Sequence, residues 1–222
     1  MYSYYFQELM HSLPFFMKGL WMTVSITGLS LIGGLLFGFI LGIIRAGKGS
    51  ILRWLVTVWV DVIRGTPILV QIFIVFFILP EFGIQMEAFI AAVVTLTNMT
   101  ACFICEIVAS GILAVPKGQK EAATATGLSP FQQLRYIVMP QAMRSILPPL
   151  VGQVVLTVKD SSVVSVIGVV DVTRVGWFTV QRIPEGVMVF GLVGLLYFVV
   201  CYPLILLSAR LEKRMTVTTT KL

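Results

Sequence analysis

Apolar residues in this chain run together in five long blocks with short polar stretches between them. The blocks cover about Leu20 to Ile44, Leu55 to Leu79, Ala88 to Ala109, Ile146 to Gly168 and Val187 to Ala209. Each can cross the roughly 30 Å hydrocarbon layer as a helix rising about 1.5 Å per residue. A helix that is apolar all round has lipid or other helices on every side rather than water. The pattern therefore predicts an all-α integral membrane protein of five transmembrane helices, filling residues 1–222 as a single transmembrane domain with little left over for a soluble one.

Two blocks carry internal detail. In the first, Gly34, Gly38 and Gly42 recur every four residues with Gly33 beside them, a ridge without side chains that lets another helix backbone approach closely. The second is interrupted at Asp61-Val62-Ile63-Arg64-Gly65-Thr66-Pro67. Pro67 predicts a bend there, and the i, i+3 spacing of Asp61 and Arg64 suits an ion pair.

The longest polar stretch, about 116–140, lies between the third and fourth blocks. Pro116 separates it from the preceding helix, and Gly127 can take the left-handed conformation that closes a helix at its C-terminal end. One short helix is expected between them. Ser129, Pro130 and Gln132 then read as an N-cap, a proline at the first helical position and a Ser-x-x-Gln capping box. A second helix is expected to start there and stop before Pro140.

Composition agrees with the blocks: 58% of residues are hydrophobic and 12% charged, and mean hydropathy is +0.97. The net charge of +6 is unevenly spread. Arg45, Lys48 and Arg53 lie between the first two blocks, Lys117, Lys120, Arg135 and Arg144 between the third and fourth, and Arg210, Lys213, Arg214 and Lys221 after the fifth. The remaining connections, with Glu81 and Glu87 and then Asp171, Arg174, Arg182 and Glu185, have no basic excess. By the positive-inside rule the N-terminus is expected outside, and the C-terminus and the 116–140 loop in the cytoplasm. Trp21 and Trp177 then fall at outer boundaries and Trp54 and Trp59 near an inner one. The basic residues thus signal topology rather than a nucleic-acid surface, and the N-terminus lacks the basic region and small-residue cleavage site of a signal peptide.

The polar loop resembles the Glu-Ala-Ala loop of the membrane subunits of bacterial ABC importers, on Glu121, Ala122, Ala123, Gly127, Ile137 and Pro140. Arg64-Gly65-Thr66-Pro67-Ile68-Leu69-Val70-Gln71 is similar to a signature of the polar amino-acid branch of that family. So are Val158-Lys159-Asp160-Ser161-Ser162-Val163-Val164-Ser165-Val166-Ile167-Gly168 and Asn98 with Glu106-Ile107. The likeness spans about Gly19 to Arg214 and departs at Met99-Thr100-Ala101-Cys102 and over Val172 to Gly186. It implies a type I importer permease fold in a bacterial inner membrane, forming half of a pathway for a polar amino acid. The implied partners are a second permease, identical or related, two cytoplasmic ATPase subunits that hold the ATP and magnesium, and an external solute-binding protein. The six loop residues would couple to the ATPase.

A zwitterion crossing hydrocarbon needs polar groups at membrane depth, where each is costly unless it faces a cavity or a partner. Candidates for the solute pathway are Asn98, Glu106, Lys159, Asp160 and Ser161. Each has a competing structural role: Asn98 as an interhelical hydrogen bond, Glu106 as a salt bridge, Lys159 and Asp160 as pairing between helices. Other motifs fail. Gly42-Ile43-Ile44-Arg45-Ala46-Gly47-Lys48-Gly49 approaches a phosphate-binding loop but has Gly49 where magnesium needs a hydroxyl, so no cofactor is expected on this chain. Cys102 and Cys105 have no second pair or histidine to complete a zinc set, and Cys201 stands alone, so all three are expected to pack as small apolar residues. His11, the only histidine, lies outside the blocks. No hydrolytic triad or carboxylate pair can be built, so an enzyme is not expected. An ion-coupled carrier using Glu106 and Asp160 is the rival; an odd number of spans and a docking-type loop count against it. A purely structural scaffold would leave Lys159 and Asp160 unexplained.

Overall fold

The computed structural model describes residues 2–219, with side chains from Tyr4 to Met215. Lys221, counted above among the C-terminal basic residues, lies outside the described residues. Helices α1 (Tyr2–Ala46), α4 (Ala88–Leu113) and α9 (Gly186–Thr219), and the segment Pro130–Ile167, are each long and apolar enough to span a membrane. A broken pair running from Ile51 to Phe82 supplies a fifth span when counted as one. No strand occurs among the described residues.

The first helix starts well ahead of its apolar block. Leu9 and Phe16 are buried, with Tyr5 part-buried, against Val172, Val175, Val189 and Val193. The spacing of these residues puts them on one helical face, so packing extends the helix over a segment that hydropathy alone leaves out, and His11 is helical and exposed.

The interruption in the second block is a helix break. Helix α2 (Ile51–Gly65) ends, Pro67 is extended at φ −62° and ψ 137°, and α3 (Ile68–Phe73) restarts. The Gln71 amide donates to both the carbonyl and the hydroxyl oxygen of Thr66, each at 3.0 Å, so the broken backbone does not leave that carbonyl bare. A π-helical turn (Ile74–Ile78) and a 3₁₀ turn (Leu79–Phe82) carry the chain on to Gly83 at φ 83°.

Two expectations are corrected downstream. The helix that starts at Ser129 does not stop before Pro140: α6 (Pro130–Gln132) passes through a π-helical turn (Gln133–Val138) directly into α7 (Met139–Asp160). A proline ring clashes with the carbonyl four residues back in a regular α-helix, and the wider π turn ahead of Pro140 relaxes that constraint. The stretch Val172 to Gly186 is also not a bare connection, because α8 (Val172–Val180) lies within it.

The chain forms two compact units. One comprises the chain up to Ile32, Thr66–Asn98 and Val155–Pro203; the other comprises Gly33–Gly65, Met99–Val154 and the chain from Leu204. In the second unit the glycine ridge packs as expected on α4. A Cβ on Gly38 would stand 2.6 Å from that of Ile104, and one on Gly42 2.6 Å from that of Val108. Cys102 and Cys105 are buried against Val56, Val60 and Ile63 of α2, in the packing role expected of them.

Candidate functional site

The segment after α4 is built by local sequence chemistry. Helix α5 (Lys117–Ala125) begins at Pro116 and is closed by Gly127 at φ 78°. The Leu128 N–H donates to the Ala123 carbonyl at 3.2 Å and the Gly127 N–H to the Thr124 carbonyl at 3.0 Å, the paired bonds of a Schellman closure. The capping box follows at once: Ser129 Oγ accepts from the Gln132 N–H, and the Gln132 side chain accepts from the Ser129 N–H at 2.9 Å. Ala123 is buried while Glu121, Ala122 and Gly127 are exposed. The helix is thus seated by one face and presents the other. Lys120 Nζ donates to the Ile112 carbonyl of α4 at 3.2 Å, and Gln141 of α7 donates to Gln119 at 3.3 Å, so both neighbouring helices hold it. Of the remaining loop candidates, Ile137 is half-buried in the π turn and Pro140 is exposed on α7.

In the same unit, four charged side chains converge. Arg45, at the end of α1, pairs with Asp61 of α2 and with Glu106 of α4, both at 3.0 Å, and Arg64 of α2 pairs with Glu106 at 2.6 Å. The expected Asp61 to Arg64 pair does not form. Asp61 turns to Arg45 of a neighbouring helix, which leaves Arg64 to Glu106 and to the face of Phe103, 5.5 Å from the ring centre. Glu106 also accepts from the Ser110 hydroxyl at 3.3 Å. A recess of about 360 Å³ opens beside it, lined by residues of α4 and by Ser145 and Pro149 of α7.

The other pathway candidates belong to the first unit. Lys159 is exposed and Asp160 half-buried at the point where α7 gives way to a 3₁₀ segment, Ser161–Ile167. Ser161 is fully buried and its hydroxyl donates to the Val158 carbonyl at 2.7 Å. Asn98 is half-buried on α4.

A second polar cluster was not foreseen. Asp171 is fully buried outside the apolar spans and caps α8, accepting from the Arg174 N–H at 2.9 Å and the Tyr197 hydroxyl at 3.3 Å. Alongside, the Thr23 hydroxyl of α1 accepts from the Val172 N–H at 3.3 Å. Burial pushes the Asp171 carboxyl above its ordinary range, against hydrogen bonds from Arg174, Thr173 and Tyr197 that draw it down. An aspartate directly before Val-Thr-Arg is an N-cap signal, legible in the sequence; its long-range partners were not.

These features define a polytopic helical membrane protein with a polar helix-loop-helix between two spans. The sequence of residues 34–217 matches the model of the binding-protein-dependent transport system inner membrane component family, and the chain belongs to that family. It is therefore a multi-pass inner-membrane component of a transport system, not an ion-coupled carrier. It is 36% identical over 208 residues to the glutamine transport system permease protein GlnP of Escherichia coli K12, covering 93% of this chain and 95% of that one. The probable glutamine ABC transporter permease protein GlnP of Bacillus subtilis is 39% identical over 207 residues, with 92% and 95% covered. Among solved structures, an amino acid ABC transporter crystallised with histidines matches at TM-score 0.86 and 32% identity, covering 94% of this chain and 98% of that one. The inward-facing methionine transporter MetNI shares the fold at TM-score 0.75 and 23% identity, over 91% and 97% of the two chains.

Proposed function

We propose that this chain is the permease subunit of an ABC importer, that it carries a polar amino acid, and that residues 1–222 work as one transmembrane domain with the N-terminus outside. The observation that carries this reading is α5, an exposed helix closed by the Gly127 Schellman turn and held to α4 and α7 by hydrogen bonds. Glu121 and Ala122 face outward from it and dock in a groove of a cytoplasmic ATPase subunit, which binds the ATP and magnesium. Gly127, Ile137 and Pro140 fix the angle at which the next helix leaves. Closure of the ATPase pair moves the permease helices, provided that α5 is held differently in the two states.

The relatives named for glutamine, and the neighbour solved as an amino acid transporter, support a polar amino acid as the solute. An external binding protein delivers it, and a second permease, identical or related, completes the pathway. Lys159 and Asp160 offer the solute opposite charges at membrane depth, with Asn98 as a further hydrogen-bonding group. The buried, internally bonded hydroxyl of Ser161 is better placed to stabilise the end of α7. Replacing Glu121 and Gly127 and measuring ATPase activity and uptake in reconstituted vesicles tests the docking role. Loss of uptake with ATPase turnover no longer responding to solute is expected, and unchanged coupling overturns it. Asp160→Asn is expected to change uptake or selectivity with the complex still assembled.

A further inference from the structure

Three helices of the second unit meet at one carboxylate. Glu106 takes hydrogen-bonding cations from two directions, Arg45 from the end of α1 and Arg64 from the last turn of α2, while Arg45 also reaches Asp61. Beneath these ions Val56, Val60 and Ile63 of α2 pack on Cys102 and Cys105 of α4, with Leu41 and Ile44 of α1 against them. The seam between these helices is thus dry on one side and closed by charge on the other. On its other side α4 packs on α7, and the recess between them begins at Glu106 itself. Two turns beyond Glu106, the Ile112 carbonyl near the end of α4 receives Lys120 of α5.

We propose that Glu106 is a positioning residue: it locks α4 to the ends of α1 and α2, so that displacement of α5, entering α4 at Ile112, is delivered to all three helices together. The inference rests on the docking role of α5 proposed above, and it gives Glu106 a part in energy transmission rather than in contact with the solute. Three observations favour it. The carboxylate is occupied by two guanidinium groups and a serine hydroxyl and has little capacity left for a ligand ammonium. Each pair joins different helices, so the charges fix the relation of one helix to another and not the shape of any one. The cluster also holds two acidic and two basic groups, so intact it presents no net charge to a solute.

A clasp of this kind is only part-buried, with 32% of the Glu106 side chain exposed and 33% of that of Arg64, so salt should screen it. The test uses the whole complex, permease with ATPase and binding protein, in vesicles. Glu106→Gln is expected to assemble and to keep basal ATPase activity, but to lose roughly five- to tenfold in solute-stimulated turnover and to move fewer solute molecules per ATP. Arg45 keeps Asp61 in that variant, so adding Arg64→Gln to Glu106→Gln removes the one cation left without its carboxylate and should recover part of the loss, and a double-mutant cycle between the two positions should be non-additive. Rising ionic strength should lower the transport yield per ATP of the wild-type complex and leave that of Glu106→Gln flat.

Unchanged yield per ATP in Glu106→Gln overturns the proposal. So does a variant with normal coupling whose apparent solute KM changes according to solute charge, because that marks a contact with the solute. The docking reading fails separately. Should Glu121→Ala and Lys120→Met keep full coupling while Glu106→Gln loses it, α5 is not the point of entry but the clasp stands.

Discussion

The two polar clusters solve the same problem under opposite conditions. Around Asp171 a single carboxylate sits in the dark, without an ion-pair partner among the described residues, and is satisfied by a backbone N–H and hydroxyl groups. Around Glu106 four charges neutralise each other in a site that solvent still reaches, with side-chain exposures from 17% at Arg45 to 55% at Asp61. Burial magnifies each hydrogen bond and each missing one, while solvent shrinks ion pairs toward zero. The Asp171 cluster should therefore be a matter of stability and the Glu106 cluster a matter of relative helix position.

The sharpest way to break this contrast is Asp171→Ala, which removes the cap of α8 and the acceptor of the Tyr197 hydroxyl, leaving that hydroxyl with Thr173 at 3.1 Å. A loss of about 2–4 kcal/mol is expected, read as a lower unfolding midpoint of the purified complex. Glu106→Ala should cost less, about 1–2 kcal/mol, because its partners keep some access to water. A loss from it as large as that from Asp171→Ala would erase the distinction.

Next in size is a pH effect. The folded Asp171 carboxyl is raised above its unfolded value of about 3.9. Its contribution to stability is therefore fully present below that value and is lost as pH rises through the folded one. Asp171→Asn keeps an acceptor for the Arg174 N–H and has no charge to bury. The unfolding midpoint of the wild type relative to this variant should fall as pH rises above about 4. A difference that rises with pH would mean that the buried carboxylate is better solvated than its surroundings indicate. Smallest of all, Asp61→Ala should shift the midpoint by no more than about 0.5 kcal/mol, and the shift should vanish in high salt.

Local chemistry was legible in the sequence, and distant partnership was not. Gly127 and the Ser129 box announced both helix ends correctly, because a left-handed glycine and a capping serine act on backbone groups within a few residues. The Gly34, Gly38, Gly42 ridge was equally readable, since its meaning depends only on helical period. Pro140 misled, because a proline stops a regular helix and nothing in the local sequence signals that the preceding turn widens to admit it. Asp61 misled for a related reason: Arg64 stands three residues ahead in sequence, but Arg45 arrives from another helix. Asp171 could be read as a cap, but Tyr197, 26 residues away, becomes its partner only once α8 and α9 have packed.

The widened turn at Gln133–Val138 also sets the azimuth of everything that follows it. Each residue advances an α-helix by about 100°, so one residue added to or removed from that turn would swing Ile146 and Leu150 of α7 away from Val108 and Ile112. This short coil is where the sequence dials which stripe of the long helix looks inward, and an insertion or deletion there should be tolerated far worse than one among the exposed residues Gly47 to Gly49 between α1 and α2.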